Sequence, residues 1–476
     1  MSSEMRTESD SIGTMKVPAE AYYGVQAMRA RDNFPITGRQ LHPLFIQNIA
    51  IIKKAAAITN RDAGLLPLNV ATAIIKACDE IINGNLREAF VVDAIQGGAG
   101  TSANMNANEV IANRAIEILG GRKGDYSIVH PNDHVNMAQS TNDVIPSAGK
   151  LTVLALLKQT EKKLVHLTEL LSEKAVEFDG ILKMGRTQMQ DAVPMRLGQS
   201  FHAYASVMER DLERLREAEK AMRTLNMGGT AIGSSINVSP EYLKNICKNI
   251  RKLTKEKYVQ AKDLFDATQN LDGFVMVSGY LKTCAVNLSK MCNDLRLLSS
   301  GPKTGIGEIH LPAKQNGSSI MPGKVNPVIP EVVSQVAFNI IGHDYTITMA
   351  AEAGQLELNA FEPVIFYNLF ESVETLGQAA ETLADNCIAG ITADEVRCRE
   401  LVEASAGIAT ALCPAIGYAK AAKLAKKSLK TGVPVRKLAV TLGYVTKEEA
   451  DHLLNPEMMT GKILSMEEKE YYLKLG

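Results

Sequence analysis

The stretch Gly317-Ser318-Ser319-Ile320-Met321-Pro322-Gly323-Lys324-Val325-Asn326-Pro327 is the most informative part of this sequence. Pro322 and Gly323 interrupt any helix, and Asn326-Pro327 is typical of the residues that begin one. Glycine lets backbone N–H groups converge on an anion, and Lys324 adds a full positive charge close by. The stretch is therefore predicted to be a mobile loop in which a serine alkoxide costs less free energy than it does in water.

A solvent-exposed Ser/Gly turn followed by a capped helix would have the same composition. The whole string, however, resembles the signature of the fumarase/aspartase superfamily, whose members release fumarate by eliminating an amine or water across a C–C bond. The resemblance implies that Ser318 is the general base that removes a proton from the carbon beside a carboxylate. It also implies that Lys324 and Asn326 hold that substrate.

Composition excludes several classes of protein. The chain has 476 residues, of which 46% are hydrophobic, enough for a large buried core. Its 52 basic and 53 acidic residues nearly cancel, so nothing indicates a nucleic acid or a membrane surface as partner. The first ten residues are acidic and lack an apolar run, unlike a signal peptide, and no apolar stretch approaches the roughly 18 residues of a membrane span. We therefore expect a cytoplasmic protein that acts on a small molecule.

The cysteines and histidines do not form a metal-binding pattern. The seven cysteines include no C-x-x-C pair, and we expect them to be reduced and mostly buried. His130 and His134 share the i,i+4 spacing of helical metal ligands, but Pro131-Asn132 between them favours a turn. Neither a metal nor an organic cofactor is expected.

Further strings extend the resemblance from about residue 17 to about residue 455. They are 21–26, 96–106, 130–143, 185–194 and 352–359. The resemblance implies that one substrate carboxylate, which becomes doubly charged, is held by Thr101, Ser140, Thr141 and the loop amides near Ser319. It implies that Asn142 faces the amine, and that the other carboxylate is held by Thr187, Gln188, Lys324 and Asn326. Taken singly, each of these residues could be a helix cap, a turn residue or a solvated charge.

Gln188 distinguishes between two reactions of the superfamily, because fumarases place a histidine at this position. Expulsion of hydroxide needs a proton donor, whereas the ammonium group of an amino acid is already protonated. A glutamine cannot titrate, although its amide still forms hydrogen bonds. The resemblance therefore implies reversible anti-elimination of ammonia from L-aspartate through a carbanion. The alternatives are a fumarate hydratase, a lyase for another amino-substituted succinate, and a non-catalytic helical scaffold.

Two departures from the superfamily pattern concern substrate preference and turnover. The sequence Gly233-Ser234-Ser235-Ile236-Asn237 stands where Gly-Thr-Gly-Leu-Asn is common. Ser235 thus replaces a glycine at a position where a positive φ would restrict other residues. Ala138 replaces a usual serine.

The predicted fold is all-α in three parts, residues 1–142, 143–394 and 395–476. Within the first part, about 40 residues at the start are polar and are expected to be irregular. Apolar periodicity predicts helices near 44–62, 68–84, 146–178, 194–225, 261–299, 327–352, 360–389, 395–406, 413–427, 434–442 and 446–454. The segment 261–299 is apolar on several faces, so one chain is not expected to supply all its neighbours. We expect a helical bundle completed in a homotetramer, and the resemblance implies that each active site draws on three chains.

Overall fold

The computed structural model describes residues 4–455 and 459–460, and the prediction of a mostly helical chain is confirmed. The α-helices of this part are α1 Val25–Asn33, α2 Pro43–Asp62, α3 Leu68–Ile82, α4 Thr101–Ile118, α5 Thr141–Glu177, α6 Leu197–Ala221, α7 Pro240–Thr254, α8 Leu264–Gln269, α9 Asp272–Leu298, α10 Val328–Glu352, α11 Glu362–Asn386, α12 Glu395–Ala404, α13 Cys413–Ile416, α14 Tyr418–Thr431, α15 Val435–Thr441 and α16 Lys447–Leu453. Within the described residues, no helix combines the length and the apolar character that a membrane span requires.

Short strands accompany the helices in two-stranded pairs. The antiparallel pairs are β1 Met5–Asp10 with β2 Gly13–Pro18, β3 Leu182–Thr187 with β4 Gln190–Arg196, and β7 Ile309–His310 with β8 Thr392–Ala393. The parallel pair is β5 Thr224–Leu225 with β6 Val259–Gln260. None of the seven cysteines, all of which lie in the described part of the chain, forms a disulfide, and every one except Cys413 is buried.

One compact unit comprises residues 1–160, 214–282 and 339–375. In it α2 packs against α3, α4 and α7. Pro43 stands at the first turn of α2, where its missing N–H is not needed, and His42 Nδ1 accepts the N–H of Leu44. The rings of Phe45, Phe366 and Phe370 pack together at centroid distances of 5.4 to 5.5 Å.

The second compact unit comprises residues 161–213, 283–338 and 376–476. In it α12 packs against β3. Its C-terminal helices bury a hydrophobic cluster of Met184, Val402, Ile408, Ala409, Leu412, Leu424, Val435, Leu438, Ala439, Val445, Ala450 and Leu454. The division into three domains, 1–142, 143–394 and 395–476, stays a prediction.

The prediction of an irregular segment over the first 40 residues is wrong. These residues contain the hairpin of β1 and β2 and the helix α1. The Arg6 guanidinium ties the hairpin to the chain after it by donating to four backbone carbonyls, those of Pro18, Ala19, Ala21 and Tyr23. The Glu109 carboxylate accepts the N–H groups of Gly24, Gln26 and Ala27 at the start of α1. Both devices join residues distant in sequence, so local periodicity does not show them.

The single helix predicted over 261–299 is also wrong, because the chain is extended at Asn270 between α8 and α9. Sequence periodicity did not predict α7, although Ser239 caps it and Pro240 occupies its first turn. Residues 185–194, which lie between the helices predicted at 146–178 and 194–225, belong to the hairpin of β3 and β4. Most other helices lie within a few residues of their predicted bounds.

Candidate active site

The loop that carries Ser318 holds the serine oxygen against two backbone amides. The N–H groups of Ile320 and Met321 both donate to Ser318 Oγ, at N···O distances of 3.2 and 3.0 Å. Ser318 is half-buried, while Ser319 beside it is exposed. Because backbone N–H groups stabilise negative charge on the oxygen they face, this arrangement favours the alkoxide form of Ser318.

The ends of this loop are joined by hydrogen bonds of its own. The N–H of Gly317 donates to the Lys324 carbonyl at 2.8 Å, and Asn326 Nδ2 donates to the Gly317 carbonyl at 2.7 Å. A Cβ at position 317 would lie 2.5 Å from the Lys324 carbonyl oxygen, so only glycine fits there. Asn326 therefore shapes the loop, and Lys324 Nζ forms no ion pair with any residue that the structure describes.

Thr101 is the first residue of α4, not its cap. Gly100 is the N-cap residue, with φ of 85°, and as a glycine it has no side chain to cap the helix. The side-chain oxygen Oε1 of the nearby Gln96 accepts the N–H of Ala103, the third residue of the helix, at 2.7 Å. The exposed Thr101 hydroxyl and the first amides of α4 can thus accept a carboxylate as ligand.

Ser140, Thr141 and Asn142 lie together at the start of α5. Ser140 Oγ accepts the N–H of Asn142 at 3.2 Å, and Thr141 Oγ1 accepts a hydrogen bond from Asn104 on α4, also at 3.2 Å. Asn142 Nδ2 donates to the Ala231 carbonyl at 2.7 Å. The structure therefore brings the N-terminal ends of α4 and α5 side by side.

Asp143 organises this end of α5. Its carboxylate accepts the N–H of Ser140 at 2.9 Å and those of Gly228 and Thr230 at 3.1 and 3.2 Å. Burial raises the pKa of the Asp143 carboxyl to about 6, against the opposing effect of the three amide hydrogen bonds and of Lys53. One buried side chain thus fixes the helix end and the turn at 228–230.

The segment 228–237 contains several residues with positive φ, as expected for the position of the lost glycine. Ser235 has φ of 56°, and Thr230 and Asn237 have 57° and 63°. Such values cost free energy for residues other than glycine. Ala138, the other departure, also has positive φ, at 60°.

Thr187 and Gln188 lie at the exposed tip of the β3–β4 hairpin. Thr187 pairs with Gln190, so the turn has two central residues, Gln188 and Met189, with φ of 51° and 66°. Such turns normally use Asn-Gly or Asp-Gly. Directly before Thr187, Arg186 donates to the buried Glu308 carboxylate at 2.9 Å. Left-handed backbone at non-glycine residues on a solvent-exposed tip is a pattern found at functional sites.

Comparison with known proteins gives a single result. Residues 13–342 match the family model described as Lyase, and residues 408–461 match Fumarase C C-terminus. An aspartate ammonia-lyase of a Bacillus species is 50% identical over 97% of this chain and 98% of its own length. One from Helicobacter pylori is 52% identical over 96% of this chain and 98% of its own length. The chain belongs to the aspartate ammonia-lyase family of the fumarase/aspartase superfamily.

The fold agrees with this family. The crystal structure of fumarate lyase:delta crystallin from Brucella melitensis bound to cobalt superposes with a TM-score of 0.94, at 48% identity over 96% of this chain and 100% of that one. The helical chain expected from the sequence thus has the fold of the fumarase/aspartase superfamily.

In this member of the aspartate ammonia-lyase family, the sequence motifs did not predict that Asp143 fixes the start of α5 or that Glu308 binds Arg186. A local signal exists for Asp143, because a Ser or Thr followed three residues later by an acid, as in Ser140 and Asp143, is a capping-box pattern. No local pattern signals Glu308, because its partner Arg186 is far away in the sequence.

Proposed function

We propose that this chain catalyses the reversible anti-elimination of ammonia from L-aspartate to give fumarate, with Ser318 as the general base. Membership in the aspartate ammonia-lyase family supports the reaction. The hydrogen bonds of two loop amides to Ser318 Oγ support the role of the base, and they are the observation that carries the mechanism.

In the proposed step, Ser318 in its alkoxide form takes a proton from C3 of L-aspartate. The electron pair of the C3–H bond moves into the side-chain carboxylate, which becomes an enediolate with two negative oxygens. That pair then forms the C2–C3 double bond, while the C–N bond breaks and neutral ammonia leaves. The N–H groups of Ile320 and Met321 lower the free energy of the alkoxide, and they are in place before the reaction begins.

The enediolate needs donors that are fixed in advance, because such preorganised charge stabilisation is usually the largest catalytic contribution. Thr101, Ser140, Thr141 and the amides near Ser319 are the proposed donors to this carboxylate. The exposed Thr101 hydroxyl stands at the N-terminal end of α4, and the start of α5 is held by the buried Asp143. The two helix N-termini add positive potential.

The remaining site residues are proposed to hold the other end of the substrate. Asn142 faces the amine, while Thr187, Gln188, Lys324 and Asn326 bind the second carboxylate. Since Gln188 has no proton to give near neutral pH, it suits departure of ammonia from an ammonium better than departure of hydroxide.

The proposed assembly is a cytoplasmic homotetramer in which segments 101–142, 187–188 and 318–326 come from three different subunits. Exposed apolar side chains on α10 support an intersubunit surface, since Phe338, Tyr345 and Met349 are 63%, 75% and 54% exposed. Mixing inactive Thr187→Ala and Ser318→Ala chains after mild dissociation should restore activity, because mixed tetramers contain some sites with neither change. Persistent inactivity of re-formed tetramers would contradict shared sites.

The reaction is tested by following the ultraviolet absorbance of fumarate after adding enzyme to L-aspartate and, separately, to L-malate. The proposal predicts fumarate from L-aspartate alone. Fumarate from L-malate alone would identify a hydratase and overturn the Gln188 argument. No signal from either substrate would reject aspartate and direct the search to bulkier amino-succinates and to the altered 233–237 turn.

A further inference from the structure

A cavity of about 760 Å³ lies in the first compact unit, behind the start of α4. This volume is within the range of small-molecule sites in proteins. Its lining includes Phe45, Phe366 and Phe370, and the rings of Phe366 and Phe370 are stacked with an angle of 3° between their planes. None of the site residues proposed above lines it. The cavity therefore offers an aromatic wall to a ligand other than the substrate bound at the active site.

One cationic side chain of the cavity has no partner. Arg87 lines it, and its guanidinium forms no hydrogen bond or ion pair with the described part of the chain. Arg39, by contrast, is 3.5 Å from Glu371 and lies over the Tyr367 ring. The residue before Arg87, Leu86, has φ of 61°, a costly value for a bulky side chain. Arg87 is thus the group available for an anion.

One anionic side chain of the cavity is also without a charged partner near neutral pH. Glu374 Oε2 lies 3.5 Å from His42 Nε2, its ion-pair contact within the described residues. His42 Nδ1 accepts the N–H of Leu44, and burial lowers the pKa of His42, so the imidazole is neutral at pH 7 and above. Arg87 and Glu374 therefore line the same cavity as one cation and one anion, each without an oppositely charged partner among the described residues near neutral pH.

From this combination we propose that the cavity binds a zwitterionic α-amino acid with a large apolar side chain. Its carboxylate binds Arg87, its ammonium binds Glu374, and its side chain packs against the wall of Phe366 and Phe370. Charge-assisted hydrogen bonds to both ends select a zwitterion over a simple acid or amine.

The position of the cavity gives this ligand a route to the active site. Gly100, Ala103 and Ile145 line its inner end. A Cβ on Gly100 would lie 2.7 Å from the Ile145 side chain, so the turn before Thr101 already packs tightly on α5. A ligand that contacts both elements biases the geometry of Thr101 and Asn142. This regulatory consequence rests on the proposed function, whereas the binding itself does not.

The binding is tested by titrating L-phenylalanine into the full-length protein in a calorimeter, with 3-phenylpropionate and phenethylamine as probes that lack the ammonium or the carboxylate. We expect L-phenylalanine to bind, and Arg87→Met and Glu374→Gln to raise its Kd by about tenfold or more. Arg122→Met removes another exposed and unpaired arginine and should leave the Kd unchanged. Saturating fumarate separates this cavity from the active site, because L-phenylalanine should still bind.

Three results would overturn the proposal. They are absence of heat with L-phenylalanine, equal affinity for 3-phenylpropionate, and a smaller assembly for Arg87→Met by size-exclusion chromatography, which would make Arg87 a subunit contact.

In active enzyme, saturating L-phenylalanine should also change the KM for L-aspartate by about fivefold. Binding of L-phenylalanine with an unchanged KM for L-aspartate would support the binding site and reject its regulatory effect. Loss of catalysis with binding retained would reject the proposed function but not the cavity.

Discussion

The Ser318 loop and the N-terminal end of α5 serve the same proposed reaction but are built in opposite ways. Backbone hydrogen bonds within 317–326 and one asparagine side chain hold the exposed loop. The end of α5 is held by the buried Asp143 carboxylate, which also bonds the turn at 228–230. The comparison indicates that the proposed base lies on an element that can open locally, while the proposed donors Ser140 and Thr141 lie on an element whose opening disturbs the core.

The largest expected effect separates activity from stability at the loop. Ser318→Ala should lower kcat by about 10²–10⁴, the scale of a lost general base. Its free energy of unfolding should match the wild type within about 0.5 kcal/mol, because the half-buried side chain forms hydrogen bonds only within its own surface loop. Steady-state kinetics and urea unfolding of the same preparation measure both. Near-normal turnover would remove Ser318 from its role, and a large loss of stability would contradict the comparison.

The opposite result is expected at α5. Asp143→Ala should lower the free energy of unfolding by about 3 kcal/mol or more, because three buried N–H groups lose their acceptor. Activity should fall as well, since Ser140 and Asn142 lose their fixed positions. Asp62→Ala, a change at an exposed aspartate paired with its neighbour Arg61, is the matched control and should be close to neutral. Equal urea midpoints for the two variants would show that Asp143 does not organise this region.

Lys53 gives a pH test of the same rigid region. It donates to Asn136 Oδ1 at 2.8 Å, and complete burial lowers its pKa to about 7. Between pH 7 and the ordinary lysine pKa near 10.5, the unfolded chain binds one more proton than the folded chain. The free energy of unfolding should therefore rise with pH in this window, by up to about 1.4 kcal/mol per unit. In Lys53→Met this rise of the free energy of unfolding with pH should be absent. If that free energy changes with pH equally in the wild type and in Lys53→Met, the lowered pKa of Lys53 is contradicted.

The smallest effect is expected at the tip of the β3–β4 hairpin. Met189→Gly should raise the free energy of unfolding by about 1 kcal/mol, because glycine relieves the left-handed backbone. Val193→Gly, an exposed position on β4, should lower it by a similar amount. In thermal unfolding, the midpoint should therefore rise for Met189→Gly and fall for Val193→Gly. Destabilisation by Met189→Gly would mean that its side chain contributes more than its backbone costs.

Local sequence patterns predicted the elements that depend on nearby residues. The helix α2 lies where apolar periodicity placed it, and Asn326-Pro327 correctly marked the start of α10. The expectation of positive φ at Ser235 is confirmed as well. Each of these features depends on residues within a few positions of one another.

Features that depend on distant partners could not be predicted. The hairpin of β1 and β2 is tied down by Arg6, and the start of α1 is capped by Glu109. The β3–β4 turn uses Gln188-Met189, which is not typical turn chemistry, so its hairpin had no local signal. The proposed site residues come from the resemblance of whole strings, whereas the hydrogen bonds of Asp143 and Glu308 depend on partners that only the fold brings to them.

The most direct test of the account is exchange of the C3 hydrogens of L-aspartate in D₂O, followed by proton NMR. If Ser318 is the base, the wild type should incorporate deuterium at one of the two C3 positions of the remaining L-aspartate, because the carbanion returns to reactant. Ser318→Ala should slow this exchange by at least about a hundredfold, whereas Ser319→Ala should stay within about tenfold of the wild type. Exchange at the wild-type rate in Ser318→Ala would show that another group removes the proton.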